Sequence, residues 1–142
     1  MIEPRELNPI EVRHYWPEAE LHLRRAVYGA DPDGYLRNVQ AACFAGINTL
    51  WRIEESNELL AYVVTNIYTV DGIMRVAQLH LMTATDIEEL LPLLDYFEVW
   101  VQKHQVDWIE VIGRKGWERM LKPYGFKHEY TSLLKRVTKE IH

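Results

Sequence analysis

Between Thr49 and Met82 the apolar residues follow a strand pattern, and two turn sequences divide that stretch in three. Thr49-Leu50-Trp51-Arg52-Ile53 alternates, Leu59 to Tyr68 is a run rich in Val, Tyr and Ile, and Ile73 to Met82 offers Met74, Val76, Leu79 and Leu81 for packing. Glu55-Ser56-Asn57 reads as the first turn, and Val70-Asp71-Gly72 contains the Asp-Gly pair that favours a tight hairpin. Links this short join antiparallel neighbours, because a parallel crossover needs about a dozen residues or more. The chain must therefore build around an antiparallel meander. In its third strand, strict alternation predicts that His80 shares a face with Gln78 and Met82 while Leu79 and Leu81 take the other.

Helical signals surround the meander. Asn8-Pro9-Ile10-Glu11 carries a cap, a first-turn proline and a capping-box glutamate. Pro17 interrupts the helical stretch that begins there, which predicts a short helix and then a second from Pro17 to about Tyr28. Gly29 to Gly34 reads as a loop. Tyr35 to Ala45 reads as a helix packing Leu36, Val39 and Cys43, with Gly46 at its C′ position. After the meander, Thr85 and Glu88 form a capping box, but Pro92 comes soon after, so a short turn should precede a helix from about Pro92 to His104. That helix is apolar on more than one side, as in a largely buried helix. Trp108 to Ile112 is a nearly continuous apolar run suited to the middle of a sheet. Trp117 to Leu121 predicts a short helix ended by Pro123, Gly125 turns the chain, and Phe126 to Arg136 reads as the last strand. The pattern is that of a single α/β (α+β) domain over residues 1–142.

Composition narrows the function classes. A chain of 142 residues with 48% hydrophobic and 26% charged residues is globular and long enough for a core without staples. Cys43 is the one cysteine, so an internal disulfide and a multi-cysteine zinc site are excluded, and its apolar helical setting reads as a buried structural thiol. His14, His22, His104, His128 and His142 show no metal-ligand spacing, so no metal is expected. Gly-x-Ser-x-Gly, P-loop and Rossmann glycine motifs do not occur. No run is long enough to span a membrane and the first residues are charged, so a cytoplasmic protein is expected. A net charge of −5 argues against nucleic acid as partner. The charge is uneven: residues 107–142 hold 8 basic and 5 acidic residues, a local +3, which leaves −8 on residues 1–106. That asymmetry suits a polar partner surface or head-to-tail association.

The end of the chain carries a family likeness. Ile109-Glu110-Val111-Ile112, then Gly113 to Leu121, then Tyr124-Gly125-Phe126 resembles the strand, short helix and "GF" turn of the GNAT acyltransferases, and the order of elements resembles that family over nearly the whole chain. The likeness implies a mixed, mostly antiparallel sheet flanked by helices. Met82-Thr83-Ala84-Thr85-Asp86 and Gly113-Arg114-Lys115-Gly116-Trp117 are also similar to small GNAT-like proteins of tailed bacteriophages, including an internal virion protein. This second likeness implies a part in a particle assembled in the host cytoplasm.

Residue by residue, the enzymatic features of the family are thin. Its members hold the acetyl-CoA pyrophosphate with a loop of the type Arg/Gln-x-x-Gly-x-Gly/Ala, where backbone N–H groups and close approach bind the anion. The matching stretch here, Thr83 to Leu91, has no Gly, Arg or Lys and contains Asp86, Glu88 and Glu89. A like charge ~6 Å away at an effective dielectric of ~20 costs roughly 3 kcal/mol before screening. The family's acid is commonly a tyrosine five residues before the Phe of "GF", and that position is Leu121, with Tyr124 nearby. Candidate bases are Glu58, Asp71, His80 and Glu110. The candidate catalytic set is thus His80, Glu110 and Tyr124, and the candidate cofactor set, if acetyl-CoA binds at all, is Thr83, Ala84 and Thr85. Arg114, Lys115, Trp117, Arg119 and Lys122 form a candidate interface or anion site, combining cations, an aromatic ring and a helix start. The expectation is a non-catalytic binding or assembly module with a protein partner or self-assembly and no cofactor; the alternative is an acetyl-CoA-dependent N-acetyltransferase with a divergent cofactor loop.

Overall fold

The computed structural model describes residues 2–27, 31–83, 91–112, 119 and 121–127. Among them, five strands form one sheet in chain order: β1 (Ile2–Glu6), β2 (Thr49–Glu55), β3 (Glu58–Val70), β4 (Met74–Met82) and β5 (Trp108–Val111). The pairs from β1 to β4 are antiparallel and β4–β5 is parallel. The expected meander is present. Both of its turns use left-handed residues, Ser56 and Asn57 at φ 53° and 68°, and Asp71 and Gly72 at φ 53° and 71°. Such primed turns match the twist of the flanking strands.

Alternation divides the core. Leu50, Tyr62, Val64 and Leu81 pack under α1 (Pro9–Leu23) and α2 (Pro32–Phe44). Trp51, Ile53, Ala61, Val63, Ala77 and Leu79 pack under α3 (Leu91–Lys103) on the opposite face. Trp51 anchors that second layer: its ring meets Phe97 and Trp100 edge-on at 5.2 and 5.3 Å, and its Nε1–H donates to Thr65 Oγ1 at 2.9 Å.

Several expectations are corrected. α1 is one helix with Pro17 inside it, ending at Leu23 and not near Tyr28. The proline forfeits one backbone bond, but Val12, Trp16, Ala19 and Leu23 are buried on the sheet, and Asn8 and Glu11 complete the capping box. Glu18, one residue past the proline, accepts from the Tyr62 hydroxyl and from Arg52, which fastens that turn to β2 and β3. α2 starts earlier than expected because Asp31 caps it, accepting from Gly34 N–H at 3.0 Å, and Gly46 follows its end at φ 77°. β1 was not anticipated: Pro4 and three charges give it the composition of an edge strand, which obscures the alternation. α3 is one-sided, burying Leu93, Phe97, Trp100 and Val101 while Tyr96 and Val99 face outward. β5 is not sealed on both faces, since Trp108 is 58% exposed. The expected last strand lies outside the described residues except for Phe126 and Lys127, which are irregular.

Candidate functional site

One irregularity organises the site. β3 pairs Val64 with Leu81 but Thr65 with Leu79, so His80 is the extra residue of a β-bulge. The bulge reverses the alternation expected from sequence. Leu79 packs with the α3 layer and Leu81 with the α1–α2 layer, and Met82 packs on the α3 side. His80 turns toward α2, where Tyr35 Oη lies 2.5 Å from its Nε2 and the two rings stack at 5.6 Å. His80 Nδ1 is buried with no hydrogen-bond partner among the described residues. Burial holds the imidazole below its ordinary value of 6.5 and raises the Tyr35 phenol above 10.0.

Beside this pair a row of polar side chains crosses three strands. Asn66, Gln78 and Glu110 stand opposite one another in register. Asn66 Nδ2–H donates to Gln78 Oε1 at 2.9 Å, Gln78 Nε2–H donates to Glu110 Oε1, and the Tyr68 hydroxyl donates to Glu110 Oε2 at 3.2 Å. Every donor in the row leads toward Glu110, one of the candidate bases named from the sequence. Tyr35, Asn66, Tyr68 and Gln78 were missed. Their signal was polar residues two apart within apolar strand runs, Asn66 with Tyr68 and Gln78 with His80. Glu58 and Asp71 sit exposed at turns, apart from this row.

β4 and β5 run together only from Val76–Trp108 to Leu79–Val111, closed by Ile112 N–H donating to Leu79 O at 3.1 Å. Past that point β4 has no β5 partner among the described residues. Among the described residues the fork is lined by hydrocarbon: Met82, Leu94, Val111 and Leu121, with Leu79 and Phe97, surround a cavity of about 10 Å³, room for one water at most. Leu121 is only 5% exposed. Thr83 N–H donates to Tyr62 O at 3.0 Å, and Thr83 Oγ1 accepts from Tyr62 N–H at 2.9 Å, so this amide is engaged within the sheet. Ala84 and Thr85 lie outside the described residues. Tyr124 stands in a 3-10 turn (Lys122–Tyr124) at the surface, 46% exposed. Arg119 and Lys122 are exposed, and Arg114, Lys115 and Trp117 lie outside the described residues.

No family model and no curated protein matches the chain. Solved structures do. A predicted acetyltransferase of Clostridium acetobutylicum, solved with acetyl-CoA, superposes with a TM-score of 0.66 at 16% identity, covering 96% of each chain. A GCN5-related N-acetyltransferase of Ralstonia eutropha gives 0.68 at 13% identity over 96% of this chain and 99% of its own. The ribosomal-protein-alanine N-acetyltransferase of Brucella melitensis gives 0.67 at 11% identity, again over 96% and 99%. The fold is that of the GNAT acyltransferases. At these identities the likeness speaks for architecture and not for activity. In this GNAT frame, the His80 bulge and the Glu110 row lie on the α1–α2 face, and the leucine-filled fork ends the β4–β5 pair.

Proposed function

We propose that this GNAT-shaped chain works by binding, as a component of an assembly, without acetyl-CoA-dependent transfer. Leu121 carries the reading. Where the resembling family commonly has a proton-donating tyrosine, this chain has a hydrocarbon side chain buried in the β4–β5 fork. The neighbouring groups fit a coenzyme poorly: the fork is packed to about 10 Å³ and the Thr83 amide is engaged by Tyr62. The sequence of residues 84–90 adds Asp86, Glu88 and Glu89, which oppose a pyrophosphate. The likeness of Met82–Asp86 and Gly113–Trp117 to small phage proteins supports a virion component as the kind of assembly.

Acetyl-CoA titration tests this. Neither heat of binding nor a rise in melting temperature is expected at a coenzyme concentration of about 1 mM, where even a weak site would register. Saturable binding with acyl transfer to any amine would overturn the reading. The His80–Tyr35 pair and the row ending at Glu110 favour a second reading, an N-acetyltransferase with a divergent donor site. Under that reading, turnover appears and is lost in His80→Gln or Glu110→Gln.

A further inference from the structure

We infer that Tyr35 and His80 form a proton-operated latch: the neutral imidazole holds the first turn of α2 on the sheet, and its protonation releases that turn. The device is the same whether the domain only binds or also transfers. The turn has few other ties among the described residues. Pro32, Asp33, Gly34 and Tyr35 are all partly or fully exposed, whereas Leu36, Val39 and Cys43 behind them are buried. Asp31 caps the turn from within, accepting from Gly34 N–H through its side chain and from Tyr35 N–H through its carbonyl at 3.1 Å. Asp33 pairs with Arg24 of α1, but both are exposed, and such pairs contribute little. The hydrogen bond from this turn to the sheet is the one between Tyr35 Oη and His80 Nε2. His80 itself is the extra residue of the bulge and has no register partner in β3, so the ladder does not fix it.

The contact suits only the neutral ring. A neutral imidazole can place its hydrogen on Nε2, donate to Tyr35 Oη, and leave Nδ1 bare. The imidazolium carries hydrogens on both nitrogens, and Nδ1 is buried with no acceptor among the described residues. A buried charged donor left unpaired is costly. Stacking on the Tyr35 ring at 5.6 Å favours a cation but offers Nδ1–H no acceptor. Nearby charges do not offset this, because burial alone acts on the ring. On α2, Asp33 is engaged by Arg24, and Asp31 and Arg37 are exposed. On β5, Glu110 accepts from Gln78 and Tyr68. Val64, Thr65 and Asn66 of β3, opposite the bulge, carry no charge. The ring therefore takes its proton from solvent by leaving Tyr35. The opened turn uncovers His80 two residues along β4 from Gln78 of the polar row, so the α1–α2 face differs between neutral and acidic solution.

Amide exchange of the full chain, followed by NMR from about pH 7.5 to 4.5 and corrected for intrinsic rates, tests the latch. The Tyr35 amide should be less protected than amides at the centre of β2 and β3 throughout. Its protection should fall by up to about tenfold per pH unit below ~6.5 and then level off. Asp33 does not produce that fall, since Arg24 holds its carboxyl below the ordinary 3.8. His80→Gln cannot titrate, so its residue 35 amide should show no such fall. Tyr35→Phe keeps the ring but removes the hydroxyl, and should lower protection at residue 35 by about tenfold already at neutral pH. If His80→Gln melts far below the parent, the parent profile and Tyr35→Phe decide. Protection that is flat with pH in the parent overturns the latch. So does an equal fall in His80→Gln, full protection in Tyr35→Phe, or a Tyr35 amide that exchanges only as fast as the sheet centre. None of these outcomes bears on the acetyl-CoA titration, so the two readings fail separately.

Discussion

Stability on the acid side of neutrality should depend on His80. The imidazole is packed in the β4 bulge with Nε2 against Tyr35 and Nδ1 buried and unpartnered among the described residues, and burial depresses its folded pKa below the ordinary 6.5. Above about pH 6.5 the ring is neutral in both states and contributes no pH dependence. As the pH falls, the unfolded chain takes up its proton first. Stability is therefore lost from about 6.5 down through the folded value and levels off below it. Between the two values the slope is at most one proton, about 1.4 kcal/mol per pH unit. A chain of 142 residues unfolds with an entropy of about 0.3 kcal/mol/K, so the melting temperature should fall in that window by no more than ~4–5 °C per pH unit. His80→Gln keeps a hydrogen-bonding side chain for Tyr35 but cannot titrate. Thermal melts followed by circular dichroism from about pH 8 to 4 for both proteins isolate the effect as the difference between two curves. That difference excludes Glu18, whose carboxyl is held below its ordinary 4.5 by the Tyr62 hydroxyl and loses its contribution at lower pH. Parallel curves between about pH 7 and 5, or a wild type that gains on the variant as acid is added, would refute the placement of His80 as a buried neutral ring.

Three further outcomes are expected. The Cys43 thiol, 1% exposed and pushed up to about 12 by burial, should resist a thiol reagent at neutral pH until denaturant is added; prompt labelling of the folded chain would contradict that. Thr65→Val leaves the buried Trp51 Nε1–H without its acceptor and should cost ~1–3 kcal/mol by urea unfolding, but little in a Trp51→Phe background; an equal loss in both backgrounds would remove the hydrogen bond as its cause. Asn8→Ala removes the acceptor for Glu11 N–H at 2.9 Å and should cost ~1 kcal/mol in the same assay; no change in the midpoint would mean the cap does not hold α1.

The meander was legible because its turns need particular residues: Asn57, Asp71 and Gly72 tolerate positive φ, and the runs between them alternate. The α1 capping box and the end of α2 at Gly46 were legible for the same local reason. Pro17 misled because its cost is local while the burial that outweighs it comes from β2 and β3. The site was half legible. His80 and Glu110 stood out as polar residues in strands, but their partners did not. Tyr35 is 45 residues away in sequence from His80, and Tyr68 is 42 from Glu110. The faces of β4 were misassigned because a bulge leaves no mark in a sequence read at period two. One extra residue sends Leu79 and Leu81 to opposite layers.

The polar row and the leucine-filled fork bear unequally on function. Asn66, Gln78, Tyr68 and Glu110 satisfy one another, and a satisfied network costs a folded protein little, so its presence is consistent with catalysis and with a plain binding face. Leucine at 121 discriminates more sharply. A tyrosine packed at that position would need a partner for its hydroxyl, and among the described residues the surroundings are Leu79, Met82, Leu94, Phe97 and Val111, whose side chains offer no oxygen or nitrogen. The described part of the fork therefore suits a hydrocarbon side chain. A substitution that only restores the phenol, Leu121→Tyr, should lower stability through an unpaired buried hydroxyl and should not create acyl transfer. Under the proposed binding reading, acyl transfer would need the carboxylates Asp86, Glu88 and Glu89 replaced as well, and the polar face serves as a surface for contact.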